Sequence, residues 1–166
     1  MTTLHDAPLI VGVAASVLGL FWAAVSDVTR YEIPNRACGL VGAGYILAGL
    51  AMPLEPWLAG LVTGAFVFAL GLIVFSRGWL GGGDVKLAAA VTVWAGPAHL
   101  ADFTLALGLA GLVLAAVMLS PLRRIMPKPP AAVADDFRQP MPFGAPLAVA
   151  GAWVALLHLA PRAIGA

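Results

Sequence analysis

Apolar residues gather in six runs, at 8–26, 37–52, 56–75, 85–99, 103–120 and 143–160. The runs are continuous, without the polar–apolar alternation of a membrane strand, so they predict helices. The breaks fall at Pro53, at Gly81 to Gly83, at Gly96-Pro97 and in the proline-rich stretch from Pro127 to Pro142, where helices stop. The first run follows His5 and Asp6, where a cleaved signal would carry a basic segment. Its length matches a bilayer crossing of roughly 18–20 residues, and it reads as a retained span. The fourth run is the weakest. At about 15 residues, with Lys86 and Gly96-Pro97 inside it, it suits a re-entrant segment as well as a crossing.

Charge decides between these. With six crossings, Arg30, Arg36, Arg77, Lys86, Arg123, Arg124, Lys128 and Arg138 all fall on one side, and only Arg162 on the other. Basic residues mark the cytoplasmic side. Removing the fourth crossing would send the 123–138 cluster outside and break the pattern. The reading is therefore an all-α integral membrane protein of six transmembrane helices, both termini on the non-cytoplasmic side. Residues 1–166 form one membrane domain, with an extended, mobile cytoplasmic loop at 121–142.

Composition fits a bilayer as solvent. Hydrophobic residues make up 61% and charged residues 10% of the chain, and mean hydropathy is +0.97. A soluble domain carries about 25% charged residues. A net charge of +1 and the lack of a basic tract argue against nucleic-acid binding. The single cysteine, Cys38, excludes an internal disulfide and reads as a small buried residue. No His, Cys, Asp or Glu cluster has metal-ligand spacing, so no metal or cofactor is expected. Trp57, Trp79 and Trp94 lie near run ends, where interfacial belts form; Trp22 and Trp153 lie deeper and are expected between helices. Gly60/Gly64 and Gly108/Gly111 are spaced for close helix approach.

Two acids stand out against this background. Asp27 closes the first run and Asp84 opens the fourth, directly after Gly81-Gly82-Gly83, so both fall at the same cytoplasmic depth. Each has an ordinary reading alone. Asp27 can pair with Arg30 one turn on, Asp84 can cap a helix, and Lys86 can anchor at headgroups. These readings leave two facts unexplained: an aspartate at a helix C-terminus opposes the helix dipole, and three glycines exceed what a cap requires. A carboxylate pair explains both. Two carboxyl groups a few ångströms apart share one proton; the ionised one activates a water and the protonated one polarises a peptide carbonyl. Gly81 and Gly83 are expected to turn the backbone tightly and admit an extended substrate. By helix-end electrostatics Asp84 is the base and Asp27 the acid. The rival reading is a small transporter or channel with a paired-carboxylate proton or cation relay, although a relay places its acids near mid-bilayer. His5, His99 and His158 fall on the opposite side from both acids. Glu55, Asp102, Asp135 and Asp136 read as solvated; Glu32 and Arg36 flank the Ile33-Pro34-Asn35 element, where an ordinary loop role is the leading reading and a substrate contact the alternative.

Gly81-x-Gly83-Asp84 continuing into Val85-Lys86-Leu87, Asp27 followed by Ile33-Pro34-Asn35, and Pro142-Phe143-Gly144 before the last run resemble the type IV prepilin peptidases over nearly the whole chain. The GxGD element alone is shared with presenilin-like and signal-peptide-peptidase-like proteases; the fuller pattern is more specific. The resemblance implies Asp27 and Asp84 as the catalytic pair, with Gly81, Gly83 and Lys86 shaping the site. Pro34 and Asn35 would belong to the loop supporting Asp27. It implies an aspartic endopeptidase of the bacterial inner membrane that needs no cofactor. The substrate would be a prepilin or pseudopilin with a short basic leader in the cytoplasm and an apolar helix in the membrane, cut after a glycine at the boundary. Longer members carry paired cysteines in an N-terminal cytoplasmic segment and a methyltransferase activity. With one cysteine, this sequence resembles the short peptidase-only branch of tight-adherence (Flp-type) pilus assembly, and N-methylation is not expected. Oligomeric state and contact between the aspartates without substrate stay open.

Overall fold

The computed structural model describes residues 6–127 and 141–160. They form six α-helices: α1 (Ala7–Arg30), α2 (Asn35–Ala48), α3 (Leu54–Ser76), α4 (Gly82–Ala95), α5 (Leu100–Leu119) and α6 (Gly144–Leu157). No strand occurs among the described residues. Short 3-10 turns follow α2 at Gly49–Ala51 and α5 at Pro121–Ile125. Expectations for His5, Lys128, Asp135, Asp136, Arg138, Arg162 and most of the 121–142 loop lie outside the described residues.

Each helix starts or stops where the sequence interrupts itself. Pro34 and Pro53, both extended, precede α2 and α3, because proline lacks the N–H that a helix interior needs. Tyr31 ends α1 in the left-handed region (φ 55°), its N–H donating to the Asp27 carbonyl at 2.9 Å. Gly96, at φ 51°, ends α4 and releases the chain towards α5.

Helices α1, α3 and α5, of 24, 23 and 20 residues, are long and apolar enough to cross a membrane. Helices α2, α4 and α6 have 14 residues each, about 21 Å at 1.5 Å per residue, short of a hydrocarbon core of about 30 Å. The short helices sit inside. Leu9, Val13, Leu20 and Ala23 of α1 are buried with Val41 and Tyr45 of α2, Leu87 and Val91 of α4, and Leu147 and Val154 of α6. Helix α3 packs on α4, and α5 mainly on α6. Their remaining faces expose Val62, Phe66 and Ile73 on α3 and Leu105, Leu112 and Val113 on α5. An apolar exterior of that extent matches lipid as the surrounding medium.

Small residues let α1 and α2 touch. A methyl at Gly12 would strike the Gly44 carbonyl oxygen, and one at Gly44 would strike both Ser16 Oγ and the Gly12 carbonyl. Ser16 Oγ donates across the same seam to the Val41 carbonyl at 3.1 Å. Gly44→Ala is therefore expected to destabilise the bundle by about 1–3 kcal/mol, the usual range for overpacking. Thermal unfolding in detergent should show a lowered midpoint, with Gly42→Ala, whose added methyl meets nothing within 4 Å, as the control. An unchanged midpoint for Gly44→Ala would contradict this packing.

Several side chains reverse their expected positions. Trp94 is no interfacial anchor: it is 1% exposed, edge-on to Tyr45 at 5.2 Å, with its indole N–H donating to the Val41 carbonyl at 3.4 Å. Trp22 and Trp153, expected between helices, are 43% and 54% exposed. The inward stripe of α1 includes Gly12, Ser16, Gly19 and Ala23, which leaves the bulky indole facing out. Gly60 and Gly64 do meet Tyr45 and Val93 closely, but Gly108 and Gly111 face open space on α5. Asp102 is engaged by His99 at 3.2 Å, and the His99 and His158 rings lie 5.5 Å apart.

Candidate active site

Three chain segments converge at one end of the bundle: the last turn of α1 with its following loop, the start of α4, and the start of α6. The loop is held by its own backbone. Ser26 Oγ donates to the Glu32 carbonyl at 2.7 Å and the Tyr31 hydroxyl donates to the Pro127 carbonyl at 2.9 Å. Ile33 is buried under two glycines: a methyl at Gly83 would come within 3.0 Å of its Cβ, and one at Gly144 within 2.8 Å of its Cδ1. Pro34 then caps α2, and Asn35 opens it.

Asp27 is 6% exposed. Its Oδ2 accepts the Gly144 N–H at 2.7 Å, so the carboxylate turns to α6 and not to Arg30, the partner expected from spacing. Asp84 is the third residue of α4; Gly81 occupies the cap position and accepts the Val85 N–H at 3.2 Å. The aspartate does not hold the cap position, but its carboxylate takes a hydrogen bond from the Gly81 backbone and so still serves the helix start. Its Oδ1 is buried with no hydrogen-bond partner, which is uncommon for a buried polar atom and marks a place where solvent or substrate is wanted. Both carboxylates line a cavity of about 340 Å³, bounded by Tyr31, Glu32, Ile33 and Asn35 on one side and by Gly81, Gly82 and Gly83 on the other. At about 30 Å³ per water, that volume accommodates several waters or a short length of extended peptide.

The glycines serve differently from expectation. Gly81 is extended (φ −70°, ψ 146°), and no positive φ occurs from Gly81 to Gly83; the left-handed turn is at Gly78, φ 68°. What Gly81 and Gly83 supply is clearance, since a methyl at Gly81 would lie 2.9 Å from Asp84 Oδ2. Lys86 is not among the residues lining the cavity; it donates to Asn35 Oδ1 at 2.9 Å, tying α4 to α2. Of the residues singled out from sequence, Asp27, Asp84, Gly81, Gly83 and Asn35 meet at the cavity, while Pro34 and Lys86 brace it. Gly144 was not among them, although its N–H is the donor to Asp27; the Pro142-Phe143-Gly144 element was its only trace. Among the described residues no three His, Cys, Asp or Glu side chains gather as a metal-ligand set.

An all-helical bundle with an apolar exterior and two carboxylates facing one polar cavity defines a narrow class. The chain belongs to the type IV leader peptidase family, whose model matches residues 14–116, a stretch that includes both aspartates. It is 38% identical over 89 residues to the prepilin peptidase EppA of Methanothermobacter thermautotrophicus, covering 50% of this chain and 23% of that protein. It is 33% identical over 144 residues to the prepilin leader peptidase/N-methyltransferase of Bacillus subtilis, covering 84% of this chain and 52% of that one. The matches thus span about half or less of these relatives. No solved structure matches the chain.

Proposed function

We propose that this chain is a membrane-embedded aspartic endopeptidase that removes the short basic leader from Flp-like prepilins or pseudopilins. The observation that carries the reading is the arrival of Asp27 and Asp84, from opposite ends of different helices, in one cavity. One proton serves the pair. The ionised carboxylate takes a proton from a water, whose oxygen attacks the scissile carbonyl. The protonated partner donates a hydrogen bond to that carbonyl oxygen. When the C–N bond breaks, the departing amine takes up a proton from the dyad. The helix-end argument for separate roles loses force here, because Gly144 gives Asp27 a backbone donor that the α1 terminus lacks. Either carboxyl can hold the shared proton, and the pair acts as one unit.

In this proposal residues 1–166 act as one domain with six crossings, both termini outside, and the site at the cytoplasmic face of a bacterial inner membrane. The short helices reach across together with their flanking turns. The bunching of Arg30, Arg36 and Lys86 at the site's end supports that orientation. The proposal covers peptide hydrolysis, which two carboxylates and a water supply, and does not extend to methyl transfer. Placement of both acids at helix ends also favours hydrolysis over a mid-bilayer ion relay. Co-expression with an Flp-type prepilin is expected to convert the precursor to its shorter form on gels. Replacing the glycine before the cleaved bond should stall that conversion. A precursor left intact by the wild-type chain would overturn the reading.

A further inference from the structure

Beyond the dyad, the cavity wall carries one more carboxylate, Glu32, and no basic residue. The nearby cations stand behind the wall and do not line it. Lys86 is bonded to Asn35, and neither Arg30 nor Arg36 lines the cavity. Glu32 is exposed and has no hydrogen-bond or ion-pair partner for its side chain among the described residues. Its backbone, by contrast, is fixed. The carbonyl is held by Ser26. Tyr31 before it is locked in a left-handed conformation and roped to Pro127, and Ile33 after it is buried. A glutamate on a rigid rim, beside a dyad that itself carries negative charge, leaves the lining with acidic side chains and no basic one. An arrangement of this kind repels an acidic segment and holds a basic one.

We infer that Glu32 is a specificity-determining residue that holds a lysine or arginine of the leader while the boundary peptide lies over Asp27 and Asp84. The inference rests on the peptidase reading and adds what that reading leaves open: why a cationic leader is taken and which side chain takes it. The contact is a charge-assisted hydrogen bond from the substrate cation to the glutamate oxygens. It acts on binding and register, and the dyad performs the chemistry.

The test uses the full chain in proteoliposomes and three synthetic precursors, each an apolar helix of about 20 residues behind a short leader. The leaders are identical except for Lys, Gln or Glu at the positions preceding the boundary glycine. Wild type is expected to prefer the Lys leader over the Glu leader by about tenfold or more in kcat/KM, chiefly through KM. Glu32→Gln should reduce that preference to within about threefold, and Glu32→Lys should reverse it, favouring the Glu leader. The reversal is a gain on one substrate, which a merely damaged fold cannot produce. Variants that keep the wild-type order of preference would overturn the inference while leaving the peptidase reading intact. Absence of cleavage of every leader by the wild-type chain would remove both.

Discussion

Asp84→Asn is expected to lower prepilin cleavage by about three orders of magnitude or more, and Asp27→Asn to do the same, if the proposed dyad performs the chemistry. Each replacement keeps the shape of the side chain and removes the group that exchanges a proton with water or leaving amine, so the loss falls on the chemical step. Because the carboxyls work as a unit, the double variant loses about as much as either single one. Stability should not follow activity. Asp27 is almost fully buried and Asp84 Oδ1 has no hydrogen-bond partner, and a neutral amide adds no charge to a pair that already holds one proton. The measurement is a time course of mature product in membranes at matched enzyme levels, beside thermal unfolding of each variant. An Asn variant retaining a tenth of wild-type activity would sink the dyad.

Gly144→Ala is expected to cost about a hundredfold in kcat/KM, the scale of a misplacement of about 1 Å in a catalytic group. Its new methyl would stand 2.8 Å from Asp27 Oδ2, 3.0 Å from Asp27 Cγ and 2.8 Å from Ile33 Cδ1. Either the carboxylate swings away from its amide donor or the start of α6 backs off; both disturb the pair. Gly39→Ala, whose methyl meets nothing within 4 Å, provides the comparison, with activity within about threefold of wild type because an exposed glycine-to-alanine change in a helix is mild. Full activity in Gly144→Ala would mean that the hydrogen bond to Asp27 is incidental to catalysis.

The helices were readable in the sequence because apolar runs are continuous and their interruptions are prolines and glycines, residues that end helices for local reasons. Which side of each helix faces inward was not. In a soluble bundle polar residues mark the outside, but here both faces are apolar, so Trp94 and Trp153 exchanged their expected settings. Close-approach glycines were ambiguous for the same reason: Gly60 is pressed against a neighbour and Gly108 is not, though their sequence surroundings look alike. Asp27 and Asp84 were legible because charge is scarce in this chain. The donor to Asp27 was not, since it is a backbone N–H, a group that every non-proline residue carries and no composition reveals. The ordinary reading of Asp84 as a helix cap was open in the sequence; Gly81 takes the cap position, and Asp84 both accepts from its backbone and lines the cavity.

The bond from Gly144 to Asp27 joins the last described helix to the first, across nearly the full length of the chain. A fragment truncated after α5 would retain both acids and every residue of the GxGD element. It would still lack the Gly144 N–H that orients the earlier acid. A minimal peptidase carved from this fold therefore has to keep its C-terminal helix, even though that helix contributes no acidic side chain to the dyad.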